Sequence, residues 1–338
     1  MITAVDAEFH QPESDTPTWA ETNYFGFFDA EQNFAGGVYL LFRPNLGVVT
    51  SLIVLNRGHA TTPWEADFVD LRTHLPIPEP RSLLNYSLDN GLTVETVTPN
   101  LEWRVRYDDG EGTTIDITHR GLMAGYDIND PEQDPMTAAK SAGGDFKWGT
   151  AYNGHFDQTG VVQGEVVIRG HRIPIDCVAT MDHSWGPRPE RGIPEMSWLH
   201  AHFSADYAIH AIFSFDSTTG GGEYDLAHGY VLQDGQVYGL KAGRGTTRRD
   251  AHRFPHEVTA ELTDIRGVVH RLTGQSVGGY PWLFWLNMVG FTSFVRFTGN
   301  DGVVGHGEAM DLCELPTLTA PRELRHTHRL AASTSAQS

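Results

Sequence analysis

Short apolar and aromatic runs recur along almost the whole chain, broken at close intervals by Gly, Asp-Gly and Asn-Gly. Clear runs are Gly37–Phe42, Val48–Leu55, Thr93–Thr98, Leu101–Tyr107, Val161–Ile168, Tyr207–Phe215, Val237–Leu240 and Phe291–Phe297. Turn pairs stand at Asn90-Gly91, Asp109-Gly110, Asp234-Gly235 and Asp301-Gly302. Their flanks are β-formers without helical periodicity, so the pattern predicts many short antiparallel strands joined by tight turns. Asp127 to Lys147 departs from it, with two Asp-Pro pairs, a Met-Thr-Ala-Ala-Lys run and Gly-Gly. It reads as a long loop with one helical turn, either a binding loop or a surface excursion.

At 338 residues the chain exceeds the size at which one core keeps growing, so two domains are expected. Gly186–Pro194 is rich in Gly and Pro and continues neither strand nor helix. A fresh set of strands follows from Met196. The expected division is 1–190 and 191–328, each a β domain, with a small polar tail, 329–338, expected to be disordered. No fixed-period repeat argues for a propeller or solenoid.

The chain carries 24 Lys plus Arg against 43 Asp plus Glu, a net charge of −19. This repels phosphate backbones and anionic lipid, so neither nucleic acid nor an integral membrane contact is expected. The two cysteines, Cys177 and Cys313, lack metal or redox spacing and read as buried free thiols. Met1 to His10 holds two acids and neither a basic cluster nor an apolar run, and no stretch is long enough to span a bilayer. A cytoplasmic location is the expectation, and the sequence leaves the oligomeric state open.

The densest chemistry lies at Asp182-His183-Ser184-Trp185-Gly186-Pro187-Arg188. Strand alternation puts Asp182 and Ser184 on one face and His183 and Trp185 on the other. They share a pocket only if the chain bends, and Gly186-Pro187 makes a bend at the mouth or floor of a first barrel the expectation, with Arg188 reaching toward the second half. The alternative is a structural corner. His155 and Asp157 fall on one face, where a carboxylate orients an imidazole, although a turn before a hairpin also uses such residues. His200 and His202 share a strand face, where they either line a pocket or supply two metal ligands, with His210, His228 or Glu308 as the third. Glu21, near Tyr24, is either an inward acid or a solvated strand residue. Gly305-His306-Gly307-Glu308 reads as a turn or a close backbone approach. No dinucleotide, Walker A or H-E-x-x-H fingerprint is present.

Four segments together resemble a known family. They are Trp19-Ala20-Glu21-Thr22 with Tyr24-Phe25, His155-Phe156-Asp157-Gln158 followed by Gly164, Asp182-His183-Ser184-Trp185-Gly186, and Gly305-His306-Gly307-Glu308. In these the chain resembles the double lipocalin-like group that includes hydroxyneurosporene synthase (carotenoid 1,2-hydratase) and AttH-like proteins. The resemblance implies a mainly β fold of two consecutive lipocalin-like antiparallel β-barrel halves with few helices and a deep pocket. It also implies hydration of isoprenoid double bonds or cyclisation, with Asp182, His183, Trp185 and His155 in the pocket of the first half.

The expected activity is therefore that of a cofactor-independent lyase or isomerase. It is read most concretely as a hydratase or dehydratase acting on a terpenoid, aromatic or polyketide-like molecule. Asp182 or Glu21 is the candidate acid and His183 or His155 the candidate base. Trp185, Trp282 and Trp285 offer aromatic faces to developing positive charge, and Arg188, Tyr24, His200 and His202 complete the candidate binding set. The alternatives are a non-catalytic carrier of a hydrophobic ligand and a His-ligated metalloenzyme; neither metal nor cofactor is assigned.

Overall fold

Over Glu102–Asp108, Trp103, Val105 and Tyr107 are buried while Arg104, Arg106 and Asp108 face solvent, the period-two pattern of a sheet with one wet face. The computed structural model describes residues 2–141, 153–189, 192–216, 222–285 and 287–319. The expected 329–338 tail and part of the 127–147 excursion lie outside the described residues.

The first half comprises β1 (Trp19–Asp29), β2 (Phe34–Arg43), β3 (Val48–Arg57), β4 (Phe68–Pro76), β5 (Asn85–Ser87) and β6 (Leu92–Thr98). It continues with β7 (Glu102–Asp108), β8 (Thr114–Gly121), β9 (Tyr126–Asp127), β10 (Gly154–Ile168) and β11 (His171–Pro187). They form one curled sheet in the order β4-β3-β2-β1-β11-β10-β8-β7-β6-β5, with β9 on β10.

The second half comprises β12 (Met196–Ser204), β13 (Tyr207–Ser214), β14 (Glu223–Gln233) and β15 (Gln236–Arg249). After these come β16 (Pro255–Asp264), β17 (Val269–Trp285), β18 (Met288–Thr298) and β19 (Val304–Glu314). These eight close into an antiparallel barrel. At its β14–β15 hairpin, Asp234 and Gly235 both take positive φ, +52° and +72°, as a primed two-residue turn requires.

Within the 127–147 excursion, α1 (Pro135–Ser141) is the helical piece. Asp134 caps it by accepting from the Thr137 amide at 2.7 Å, and Lys140 Nζ donates to the Ala227 carbonyl at 3.1 Å. The excursion thus ties the first half to the second. No helix among the described residues is long and apolar enough to cross a membrane.

Each half has its own apolar core, and a third cluster straddles them, with Tyr24, Tyr39 and Leu52 against Trp282, Met288 and Met310. Trp282 meets Tyr24 and Tyr39 edge-on, at 5.9 Å and 6.3 Å between ring centroids. The backbones also join: Gly279 donates to the Gly58 carbonyl at 2.9 Å and accepts from Ala60 at 2.8 Å. A Cβ at Gly278 would lie 2.8 Å from the Gly58 oxygen, so glycine permits this approach. Strand β1 is buried at nine consecutive positions, Trp19–Phe27, because one face meets the first core and the other meets the second half.

Candidate active site between the two halves

The site grows out of the register of three adjacent strands. Tyr24 pairs with Asp182 and Thr22 with Ser184 across β1 and β11. Asp157 pairs with Asp182 and His155 with Ser184 across β10 and β11. Residues directly opposite share a face, so Tyr24, Asp182 and Asp157 form one row and Thr22, Ser184 and His155 the next. Both rows point at the second half. There, His200 pairs with His210 on β13 and with Glu308 on β19, which makes a facing row of Glu308, His200 and His210.

The two rows meet at their ends. Tyr24 donates its hydroxyl to Glu308 Oε2 at 2.7 Å, and Asp157 Oδ2 lies 3.0 Å from His210 Nε2 and 2.9 Å from His155 Nε2. His210 and His200 face each other through their Nδ1 atoms at 2.8 Å, so one proton sits between them. Thr180 and His202 Nε2 make a further contact across the interface at 2.9 Å.

Burial dominates the electrostatics. It raises the Asp182 carboxyl to about 7, reinforced by Asp157 and opposed by His155 and Arg188. It raises Glu308 to about 7 against the hydrogen bonds from Tyr24 and Tyr280. Asp157 goes the other way: its burial is outweighed by His210 and His155, which hold it ionised far below the usual carboxylate range. Burial alone would lower His155, but Asp157 beside it raises it. Burial, with His210 and His202 nearby, keeps His200 neutral.

An apolar pocket lies between the halves, with Thr22, Asp182, Ser184 and Arg188 on one wall and Trp198, Trp282 and methionines on the others. The wall is internally braced: Thr22 and Ser184 hydroxyls bond at 2.6 Å, and Arg188 Nη2 donates to Ser184 Oγ at 2.8 Å. Tyr24 also lines a smaller cavity with His200, His202 and Glu308. His202 and Phe28 lead from there to a cleft of about 400 Å³ that includes Cys177 and His306.

Of the residues singled out from sequence, Asp182, Arg188, Tyr24 and Trp282 line the pocket between the halves, and His200 and His202 the smaller cavity beside Glu308. His155 lies behind Trp198, ring centroids 6.0 Å apart, and does not line the cavity. The Trp285 side chain lies outside the described residues.

The expected bend at Asp182-His183 is corrected. Strand β11 keeps unbroken register with β1 from Phe25↔Met181 to Trp19↔Pro187, so alternation persists. His183, Trp185 and Glu21 therefore point into the first half. There, burial lowers His183 to about 3 and raises Glu21 despite its bonds from His10. Asp182 and His155 conversely leave the first half's interior for the space between the halves. Cys177 is half-buried rather than buried.

Glu308, Asp157 and His210 complete the rows; from sequence Asp157 is expected only beside His155, and His210 and Glu308 only as candidate third metal ligands. What the sequence shows of their place in the rows is a polar residue at an inward position of a strand. Gly274-Gln275-Ser276-Val277-Gly278 spells the G-x-S-x-G letters, but it lies inside β17 and Ser276 bonds the Gly278 carbonyl at 2.9 Å. The strand-to-helix elbow that exposes a nucleophile is not what it forms.

Residues 3–313 match the family model described as Domain of unknown function (DUF7064). The chain belongs to this family. No curated protein matches this DUF7064 member. Solved structures do: kievitone hydratase from Nectria haematococca is similar, with 13% identity, 93% of each chain covered and a TM-score of 0.54. A putative AttH from Nitrosomonas europaea is 11% identical over 87% of this chain and 91% of that one, with a TM-score of 0.58. CghA in complex with Sch210972 is 12% identical over 88% and 89%, with a TM-score of 0.53. The DUF7064 chain thus has the lipocalin-like double-barrel fold anticipated from its motifs.

Proposed function

We propose that this protein is a lyase or isomerase, most concretely a hydratase or dehydratase, for a hydrophobic small molecule held between its two halves. One observation carries the reading: the pocket between the halves is apolar except for a single wall bearing Asp182. A carboxyl in such surroundings transfers a proton to an alkene or to a departing hydroxyl. Tyr24, on the same cavity and bonded to Glu308, links a second carboxyl to it. Trp198 and Trp282 offer aromatic faces to positive charge developing on the substrate. His155, fixed by Asp157 and screened by Trp198, is a positioning residue. The similarity to a protein named kievitone hydratase agrees with hydration chemistry.

The test is incorporation of ¹⁸O from labelled water into a panel of apolar alkenes, or its loss from the corresponding alcohols. Asp182→Asn should lower turnover by roughly a hundredfold or more while the circular dichroism is unchanged. Turnover equal to that of the parent chain would refute the assignment.

The same apolar lining favours a second reading, a carrier in which the polar wall only orients its guest. Native mass spectrometry separates the two: a retained, chemically unaltered ligand with no conversion of any panel member supports the carrier.

A further inference from the structure

The face of β11 turned away from the cavity carries a cluster that the proposed chemistry does not use. His10, Glu21 and His183 place one ligand atom each within 4.8 Å of the others. His10 Nδ1 lies 3.2 Å and His183 Nε2 3.6 Å from the same oxygen, Glu21 Oε2. Tetrahedral bonds of about 2.1 Å put neighbouring donor atoms about 3.4 Å apart, midway between these two distances.

The hydrogen bonds around the cluster fix where the lone pairs point. His183 Nδ1 is 2.8 Å from the Thr22 carbonyl, an acceptor, so Nδ1 carries the proton. The Asn23 side-chain amide, 3.1 Å from Nδ1, becomes a second acceptor with its oxygen turned inward. That leaves the Nε2 lone pair of His183 buried, without a hydrogen-bond partner, and aimed at a carboxylate. His10 Nε2 is 3.3 Å from Asp6 Oδ1; in the neutral ring with Nε2 donating to Asp6, the Nδ1 lone pair turns to Glu21 as well. Glu21 Oε1 accepts from the His10 backbone amide at 2.6 Å, which orients Oε2. The Trp185 ring lies parallel to that of His10, centroids 3.7 Å apart, and holds it in place. With His10 neutral, two lone pairs and a carboxylate oxygen converge on one point, where a divalent cation takes the place of a proton on His10. In both histidines the remote nitrogen donates to an oxygen, the outer arrangement typical of metal-bound imidazole.

We propose that His10, Glu21 and His183 bind a divalent transition-metal ion of the zinc type, which fastens the N-terminal arm across the first half. Two imidazoles and one carboxylate suit zinc, cobalt or iron(II) rather than calcium or magnesium. The site faces the first half's interior, so it stands independently of the reaction proposed for the other face.

The untagged full chain, stripped with chelator, is titrated with cobalt(II) and then zinc. One saturable equivalent is expected, with visible ligand-field absorption that zinc abolishes and a raised melting temperature. His10→Ala, which alters only the half-buried arm, and His183→Ala should each weaken cobalt binding by at least about a hundredfold. His200→Ala should leave it unchanged. A natively folded chain that shows no saturable cobalt band, or a His10→Ala variant that binds as tightly as the parent, overturns the proposal.

Discussion

Glu308→Gln isolates the cost of burying a carboxyl at the meeting point of the two halves. Glu308 moves from an ordinary 4.5 to about 7 in the folded chain, a difference worth about 3 kcal/mol. Because the pKa is raised, the neutral form is the one the fold favours. Below pH 4.5 the group is protonated in both states, and its contribution is fully present. Between 4.5 and about 7 the unfolded chain ionises first, and stability falls as pH rises. Above 7 both states are ionised and the loss levels off at about 3 kcal/mol. Glutamine keeps an oxygen to accept the Tyr24 hydroxyl, now 2.7 Å from Oε2, but has no proton to lose. Urea denaturation of parent and variant at intervals from pH 4.5 to 8.5 should therefore give a stability difference near zero at the acid end. The variant should become more stable by about 3 kcal/mol at the alkaline end. Parallel pH profiles would show that Glu308 does not titrate as its burial requires. A variant destabilised at every pH would show that the carboxylate, not the acid, is what Tyr24 holds.

Two further changes probe the contact between the halves. Asp157→Asn removes the charge shared by His155 and His210, 2.9 and 3.0 Å away, and should cost about 3 kcal/mol at neutral pH. The depressed Asp157 pKa means the parent has this stability above the ordinary carboxylate range and loses it as pH falls. A cost under about 1 kcal/mol by urea denaturation at pH 7 counts against that ion cluster. Gly278→Ala forces a methyl to within 2.8 Å of the Gly58 carbonyl and should cost about 1–3 kcal/mol. Calorimetry of the parent is expected to give one transition and of the variant two, and a single transition in both would show that the strands part freely.

Local chemistry made the fold legible. Alternation in Glu102–Asp108 and the Asp234-Gly235 turn each specify a strand or a hairpin without reference to distant chain. Alternation also assigned Asp182 and His183 to opposite faces, and the error lay in expecting Gly186-Pro187 to override it. The dense polar run is two sites back to back. Asp182 joins the interface row and His183 the cluster behind it, because β11 is buried on both sides. What the sequence could not reveal was the partner of each face. Tyr24 and Glu308 are 284 positions apart, and His10 reaches His183 only because the arm before β1 crosses that face. The first pairing depends on how the curled sheet and the barrel dock and the second on the path of the arm, neither of which any local period encodes. An inward polar residue on an apolar strand, such as Asp157, His210 or Glu308, is the one trace docking leaves in the sequence. A buried charge is tolerated only where a second element supplies its partner.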